Sequence, residues 1–379
     1  MKNKKNLKVL SLNVYIMGHI TYQDTLEKTF LEHIPEVEFQ SLHLPDCRDF
    51  LSRAMFWLLI KRLPGSGKAD YDFFRLRGEL SLSFYAYRYL KSVLKTSVPD
   101  VIHIHTQGIA LLAAPFFRRF PCVVSIDNTT ALLAAEHPKP AHITYQPIVA
   151  LERKCFQAAT HIMTFSDRAR DSVINDYGIA PEKVTTVHSG IPLELFTRMS
   201  RSKSSNQSKP RLLFVGNDFE RKGGNDLVAV FLEHFSDTCE LDIVTNDASV
   251  NLPTLPNLRV HRQISPLSPE LLHLYQMADI FVLPTHEDCF GWVFIEAMAA
   301  GLPCIGTTTM AVPELVRNGY SGFTITPRDR QALLLALHKL IYDDELRLSM
   351  GLAGRDIAIK NFSNVTNCKR MAEVFSNCI

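Results

Sequence analysis

Short apolar runs alternate along this chain with longer stretches whose apolar residues recur at helical spacing. In the first half the runs Lys8–Leu12, Val101–His105, Cys122–Ile126, His161–Phe165 and Val184–Val187 read as strands. Asp72–Thr96, Gly108–Arg119, Tyr145–Ala159 and Arg168–Tyr177 read as the helices between them. Met199–Pro210 (MSRSKSSNQSKP) breaks the rhythm, being rich in Ser, Lys and Asn and nearly devoid of apolar residues, and reads as a linker. The alternation then restarts with strands Arg211–Val215, Glu240–Val244, Ile280–Leu283 and Cys304–Ile305, and helices Gly224–Phe235, Pro269–Met277 and Trp292–Ala300. Near-continuous apolar strands alternating with helices imply parallel sheets covered on both faces. The predicted fold is therefore α/β, two Rossmann-like doubly wound domains facing across a cleft, over residues 1–198 and 211–360 with a linker at 199–210. Ligands of such sheets bind at the carboxyl ends of the strands.

A length of 379 residues fits two domains, and 46% hydrophobic residues supply a core for each. The net charge of +2 carries no global nucleic-acid signature, so nucleic acid is excluded as a partner. The eight cysteines (Cys47, Cys122, Cys155, Cys239, Cys289, Cys304, Cys368, Cys378) form no C-x-x-C pair and mostly lie in apolar runs. Reduced, buried thiols of a cytoplasmic protein fit that pattern better than disulfides or zinc. No apolar stretch reaches membrane-spanning length, and the N-terminus lacks the pattern of a cleaved signal.

Candidate chemistry concentrates in Thr285–Gly301 (THEDCFGWVFIEAMAAG). Glu287 and Asp288 fall on the loop that leaves a buried strand, and a helix starts near Gly291. Gly291 admits close backbone approach, and the N–H groups of a helix start suit a phosphate. The two carboxylates also suit the first turn of a helix as dipole partners. Glu296 lies about one and a half turns into that helix. Its neighbours Phe294, Ile295, Ala297, Met298, Ala299 and Ala300 are apolar or small, so Glu296 is expected to be buried and to need a partner.

Asp288-x₇-Glu296, with Phe290-Gly291 and Glu296–Pro303, resembles the acid-x₇-Glu signature of retaining glycosyltransferases of family 4, which have the GT-B fold. The resemblance extends through Ala278–Pro284, Pro313–Val316, Tyr177-Gly178, Pro181–Val184 and Gly190–Pro192. It implies transfer of a hexose-type sugar from a UDP- or GDP-sugar, with retention, to a glycan, lipid or small-molecule acceptor. It implies Glu296 on the donor ribose, Asp288 on the transferred sugar, and the backbone of Gly291, Trp292 and Val293 beside sugar and diphosphate. It implies no cofactor and no metal, the donor's own phosphate serving as base. It also implies that a C-terminal helix, about Asn361–Ile379, packs back on the first domain. The signature usually begins with Glu. Here Asp288 holds that place and Glu287 comes one residue early.

A second constellation, Val215–Gly224 (VGNDFERKGG), follows the first strand of the second domain. Arg221 and Lys222, fixed at a helix start, suit the charge that builds on a departing diphosphate, and they resemble the family's basic pair. Gly216 is the glycine of this strand end, and Asn217 stands where many members place Arg. In the first domain, Gly18 in the loop Asn13–His19 resembles the family's first-strand glycine loop. Asp127, in Ser125–Thr129, stands near where many members have His, and either orients a sugar hydroxyl or caps the next helix. His103 and His105 end a neighbouring strand and are candidates to line the same cleft.

Asp70-Tyr71-Asp72 has a D-x-D form but follows no buried strand, so no metal site is expected. Segment 48–95 holds ten Lys/Arg against four Asp/Glu around Ala54–Ile60 (AMFWLLI). That pattern suits peripheral contact with an anionic membrane at its inner face, an acceptor pocket or a buried helix. Two other functions fit the same fold: a nucleotide-sugar epimerase, and a catalytically inactive nucleotide-sugar-binding scaffold.

Overall fold

A computed structural model describes residues 6–14, 18–44, 50–61, 73–136, 139–196 and 209–379. The chain divides into two compact units, residues 1–190 with 364–379, and residues 191–363.

The first unit carries a six-stranded parallel sheet. Its strands are β1 (Leu7–Asn13), β2 (Val37–His43), β3 (Val101–His105), β4 (Cys122–Ile126), β5 (His161–Thr164) and β6 (Val184–Thr186), in the order β2-β1-β3-β4-β5-β6. Every residue of β3 and β4 is buried. Apart from His103, His105 and Ser125, those two strands read as apolar runs, as strands covered on both faces do. The order reverses between β1 and β3, the position at which sheets of this kind bind ligands at their carboxyl ends. Helix Gly18–His33 leaves β1 and is covered by the C-terminal helix Asn364–Asn377. Asn364 Nδ2 donates to Thr29 Oγ1 at 2.9 Å, and Phe375 lies 6.3 Å from Phe30, both rings fully buried.

The second unit repeats the design with β7 (Arg211–Val215), β8 (Glu240–Val244), β9 (Leu258–His261), β10 (Ile280–Val282), β11 (Cys304–Thr307) and β12 (Gly322–Ile325). Their order is β12-β11-β10-β7-β8-β9, again all parallel, with the reversal between β7 and β10. The two glycine- and acid-bearing loops, 216–223 after β7 and 283–291 after β10, flank that reversal.

Three strands, β2, β9 and β12, are absent from the sequence reading. All three lie at sheet edges. An edge strand has one ladder partner and partial cover, so its sequence is mixed rather than apolar. In β2 (VEFQSLH) only Val37 and Leu42 are buried, and Glu38 and Gln40 are exposed. The expected helix Gly108–Arg119 is instead two short ones, Gln107–Ala110 and Ala114–Phe117. Pro115 sits in the first turn of the second helix, where its missing N–H costs nothing. Pro147, conversely, lies inside the helix Lys139–Ala158. The linker residues 199–208 and Asp70-Tyr71-Asp72 lie outside the described residues.

Candidate active site

In the second unit the loops after β7 and β10 are stitched together by a network of hydrogen bonds. Lys222 Nζ donates to Asp288 Oδ2 at 2.6 Å, with the two side chains 16% and 11% exposed. Arg221 Nη1 donates to the Glu287 carbonyl at 2.7 Å, and Thr285 Oγ1 donates to the same oxygen at 2.8 Å. The His286 N–H donates to the Arg221 carbonyl at 2.8 Å. His286 Nε2 meets Asp226 Oδ2 at 2.7 Å, and Arg330 Nε donates to the other oxygen of Asp226 at 2.6 Å. Burial pushes the Asp226 carboxyl up, but the hydrogen bonds from His286 and Arg330 outweigh it and hold the group below its usual range. Asp226, His286, Thr285 and Arg330 were not singled out in the sequence, because their role appears only when the two loops meet.

Backbone geometry makes this approach possible. Gly223 has φ +75°, and a Cβ there would lie 2.0 Å from the Pro284 carbonyl oxygen. Only glycine fits both the conformation and the space. Gly291, at φ +90°, is the N-cap of helix Trp292–Ala299, and no side chain caps that end. Asp288 is buried against this helix start, while Glu287 stays half-buried with its carbonyl engaged. Phe290 is buried, with Trp292 edge-on to it at 5.8 Å, and Val293 is half-buried.

Glu296 is buried as its flanks implied, and its partner is Tyr275, whose hydroxyl donates to Oε2 at 2.8 Å. Burial pushes the Glu296 carboxyl up to about 7 despite the lowering effect of that bond. Gly216 donates its N–H to the Val244 carbonyl, and the open space beside it is taken up by the Lys222 stem, which a Cβ would meet at 3.1 Å. Asn217 holds the neighbouring loop, its Oδ1 accepting from the Asn246 N–H at 2.9 Å. Arg221 is tied to Asp218 as well, at 2.8 Å.

In the first unit a chain of polar groups runs under the carboxyl ends of β1, β3 and β4. Asn13 Nδ2 donates to Ser11 Oγ at 3.2 Å. Ser11 Oγ lies 2.8 Å from His103 Nδ1, and His103 Nε2 lies 2.8 Å from Ser125 Oγ. Ser125 Oγ lies 2.9 Å from His105 Nδ1, and His105 Nε2 lies 2.9 Å from His19 Nδ1. His19 Nε2 faces Asp127 Oδ2 at 3.9 Å. His103 and His105 are therefore not cleft-lining groups, because both are fully buried. Burial lowers His103 to about 3, and burial with His19 and His103 nearby lowers His105 well below its ordinary value. Gly18 is the exposed first residue of its helix. Among the described residues no cluster of His, Cys, Asp and Glu could hold a metal ion.

Two family models match consecutive parts of the chain, the family 4 glycosyltransferases over residues 63–195 and the group 1 glycosyl transferases over residues 196–357. The chain belongs to the family 4 glycosyltransferases. It is 29% identical over 284 residues to a D-inositol 3-phosphate glycosyltransferase of Thermobifida fusca, covering 67% of this chain and 64% of that protein. It is 26% identical over 288 residues to a glycogen synthase of Mycobacterium tuberculosis, covering 73% and 68%. Among solved structures, sucrose-phosphate synthase from Thermosynechococcus elongatus superposes with a TM-score of 0.73 at 15% identity, over 98% of this chain and 99% of that one. Anabaena HepE in complex with UDP-glucose superposes with a TM-score of 0.68 at 16% identity, over 98% and 100%. These neighbours give the family 4 chain the GT-B fold of two Rossmann-like domains.

Proposed function

We propose that this family 4 protein transfers a hexose-type sugar from a nucleoside diphosphate sugar to an acceptor hydroxyl, with retention at the anomeric carbon and without a metal. The observation that carries the reading is the junction of Arg221-Lys222 with Glu287-Asp288 at the order reversal of the second sheet, 2.6 Å apart at Lys222–Asp288. Lys222 and Arg221 stabilise the charge gained by the departing diphosphate. Glu296 holds the ribose hydroxyls, Asp288 a hydroxyl of the transferred sugar, and the backbone of Gly291–Val293 the diphosphate. The bond from the anomeric carbon to the diphosphate oxygen breaks, the acceptor oxygen bonds to that carbon, and its proton passes to the departing phosphate oxygen. No protein nucleophile is needed. The solved complex of HepE with UDP-glucose supports a UDP-sugar as the first donor to try. Proton NMR of the product tests retention: an α-linked donor gives an α-linked product, undiminished by a chelator. A β-linked product, or a requirement for added divalent metal, contradicts the reading.

One surface favours an acceptor met at a membrane. Helix Phe50–Leu59 exposes Phe50 by 78%, Leu51 by 62%, Trp57 by 61% and Leu58 by 64%, positions that share one helical face. Its other side meets helix Phe74–Val93, where Arg77 donates to the carbonyls of Leu59 and Lys61. Exposed Arg53 flanks the apolar face, and the Lys61 ammonium lies over the Trp57 ring. An exposed apolar stripe with a basic edge suits an anionic bilayer surface. Co-sedimentation should increase with phosphatidylglycerol content and fall in Trp57→Ala. Equal binding to purely neutral vesicles, or none to either, contradicts it. Among the described residues no helix is long and apolar enough to cross a membrane.

A further inference from the structure

The polar chain in the first unit has a direction. His103 and His105 are held neutral by burial, so each ring has one N–H and one lone pair, and both nitrogens of each are engaged. Every contact needs one proton, so fixing one bond fixes the rest. In the outward arrangement Ser11 accepts from Asn13 and donates to His103 Nδ1. His103 Nε2–H donates to Ser125, Ser125 donates to His105 Nδ1, and His105 Nε2–H donates to His19 Nδ1. The proton of His19 then sits on Nε2, toward the Asp127 carboxylate. The inward arrangement turns a neutral His19 lone pair toward that carboxylate. A mixed arrangement leaves the Ser125 hydroxyl proton without an acceptor in a fully buried site. With His19 neutral, the outward arrangement alone turns an N–H toward the Asp127 carboxylate. Tyr22 and Phe165 seal His105 from water, their rings 4.9 and 5.3 Å from it.

Exposure changes sharply at the end of this chain. Ser11, His103, Ser125 and His105 are fully buried, whereas the His19 and Asp127 side chains are 18% and 13% exposed. His19 follows β1, which borders the order reversal of the first sheet where ligands of such sheets bind, and Asp127 follows β4, one strand beyond β3. A hydroxyl both donates and accepts, so an imidazole N–H beside a carboxylate 3.9 Å away matches it.

We propose that Ser11, His103, Ser125 and His105 are positioning residues that fix His19 as its Nε2–H tautomer, and that His19 with Asp127 binds a hydroxyl of a sugar substrate. The choice of a sugar as ligand rests on the glycosyltransferase reading; the tautomer does not. Long-range ¹H–¹⁵N NMR of histidine-labelled protein reads the tautomer directly. The expected spectrum shows His19 protonated at Nε2 in the wild type and as a tautomer mixture in Ser125→Ala. A wild-type Nδ1–H tautomer overturns the proposal, and this result stands even if Ser125→Ala fails to fold. A His19 tautomer unchanged in folded Ser125→Ala overturns it too. With a turned-over donor, His19→Ala should lower kcat/KM for transfer by roughly 10- to 100-fold, the loss of one or two good hydrogen bonds. If the hydroxyl belongs to the donor sugar, hydrolysis of the donor without acceptor falls by the same factor. If it belongs to the acceptor, hydrolysis is unchanged and the acceptor KM rises. Unchanged transfer and hydrolysis overturn the binding role. A protein that turns over no nucleotide sugar sinks the transferase reading and leaves the tautomer assignment standing.

Discussion

Lys222 Nζ lies 2.6 Å from Asp288 Oδ2, so the cation from the loop after β7 neutralises the acid from the loop after β10. On the proposed reading a bound diphosphate competes with Asp288 for this ammonium. Asp288→Asn should therefore bind the free nucleoside diphosphate more tightly than wild type, by a few-fold, while turnover falls by at least 10-fold. Calorimetry with UDP or GDP checks the first part. Weaker diphosphate binding in Asp288→Asn contradicts the competition.

Removing the cation has a different signature. Lys222→Ala leaves Asp288 buried without its counter-charge, so it should lower stability by about 3 kcal/mol as well as turnover by about 100-fold. Lys222→Ala with Asp288→Ala together should recover part of the stability and none of the activity. Denaturant unfolding of the two single variants and the double variant measures the coupling.

If Glu296 holds the donor ribose as proposed, its titration gives donor binding a pH dependence. Burial raises its carboxyl from 4.5 to about 7. Ribose hydroxyls donate best to the ionised form, so donor affinity should weaken as pH falls from 8 to 6. Glu296→Gln should bind weakly with a flat profile. Tyr275→Phe removes a hydrogen bond that lowers the carboxyl and should move the midpoint upward. A wild-type profile flat between pH 6 and 8 contradicts the assignment.

Glu152, in the first unit, tests the sign of a stability effect. Burial raises it to about 7, against hydrogen bonds from Thr130 and Tyr177 that lower it. An acid whose folded value lies above its unfolded 4.5 stabilises the fold below 4.5 and loses that contribution as pH rises toward 7. Glu152→Gln should flatten the fall in unfolding free energy between pH 5 and 7. An identical slope in the variant contradicts the burial account.

Gly223 and Gly178 separate space from backbone conformation. Both have positive φ, at +75° and +69°. A Cβ at Gly223 strikes the Pro284 carbonyl, whereas nothing lies within 4 Å of one at Gly178. Gly178→Ala should cost about 1 kcal/mol and Gly223→Ala well over 3 kcal/mol, with loss of donor binding only in the latter. Thermal unfolding with and without donor distinguishes them.

The sequence carried the doubly wound alternation because parallel strands buried on both faces are mostly apolar, as β3 and β4 are apart from His103, His105 and Ser125. It did not carry the edge strands β2, β9 and β12, whose single ladder partner leaves their composition mixed. Glu296 was readable as a buried acid from its apolar flanks, but Tyr275, 21 residues earlier, was not readable as its partner. His286–Asp226 and the His19–His105 link join positions 60 and 86 residues apart, and no local pattern announces such pairs. Asn217, conspicuous as a departure from the family motif, serves as a loop tie to Asn246.

The central claim is sugar transfer from a nucleotide donor held by Lys222 and Glu296. Incubation of the protein, and of Glu296→Ala, with a panel of UDP- and GDP-sugars tests it most directly, with products separated by mass spectrometry. The account predicts nucleoside diphosphate released together with a glycosylated product or slow sugar hydrolysis, and loss of both in Glu296→Ala. Interconversion of the sugar without release of nucleoside diphosphate, binding without turnover across the panel, or turnover that survives Glu296→Ala would contradict it.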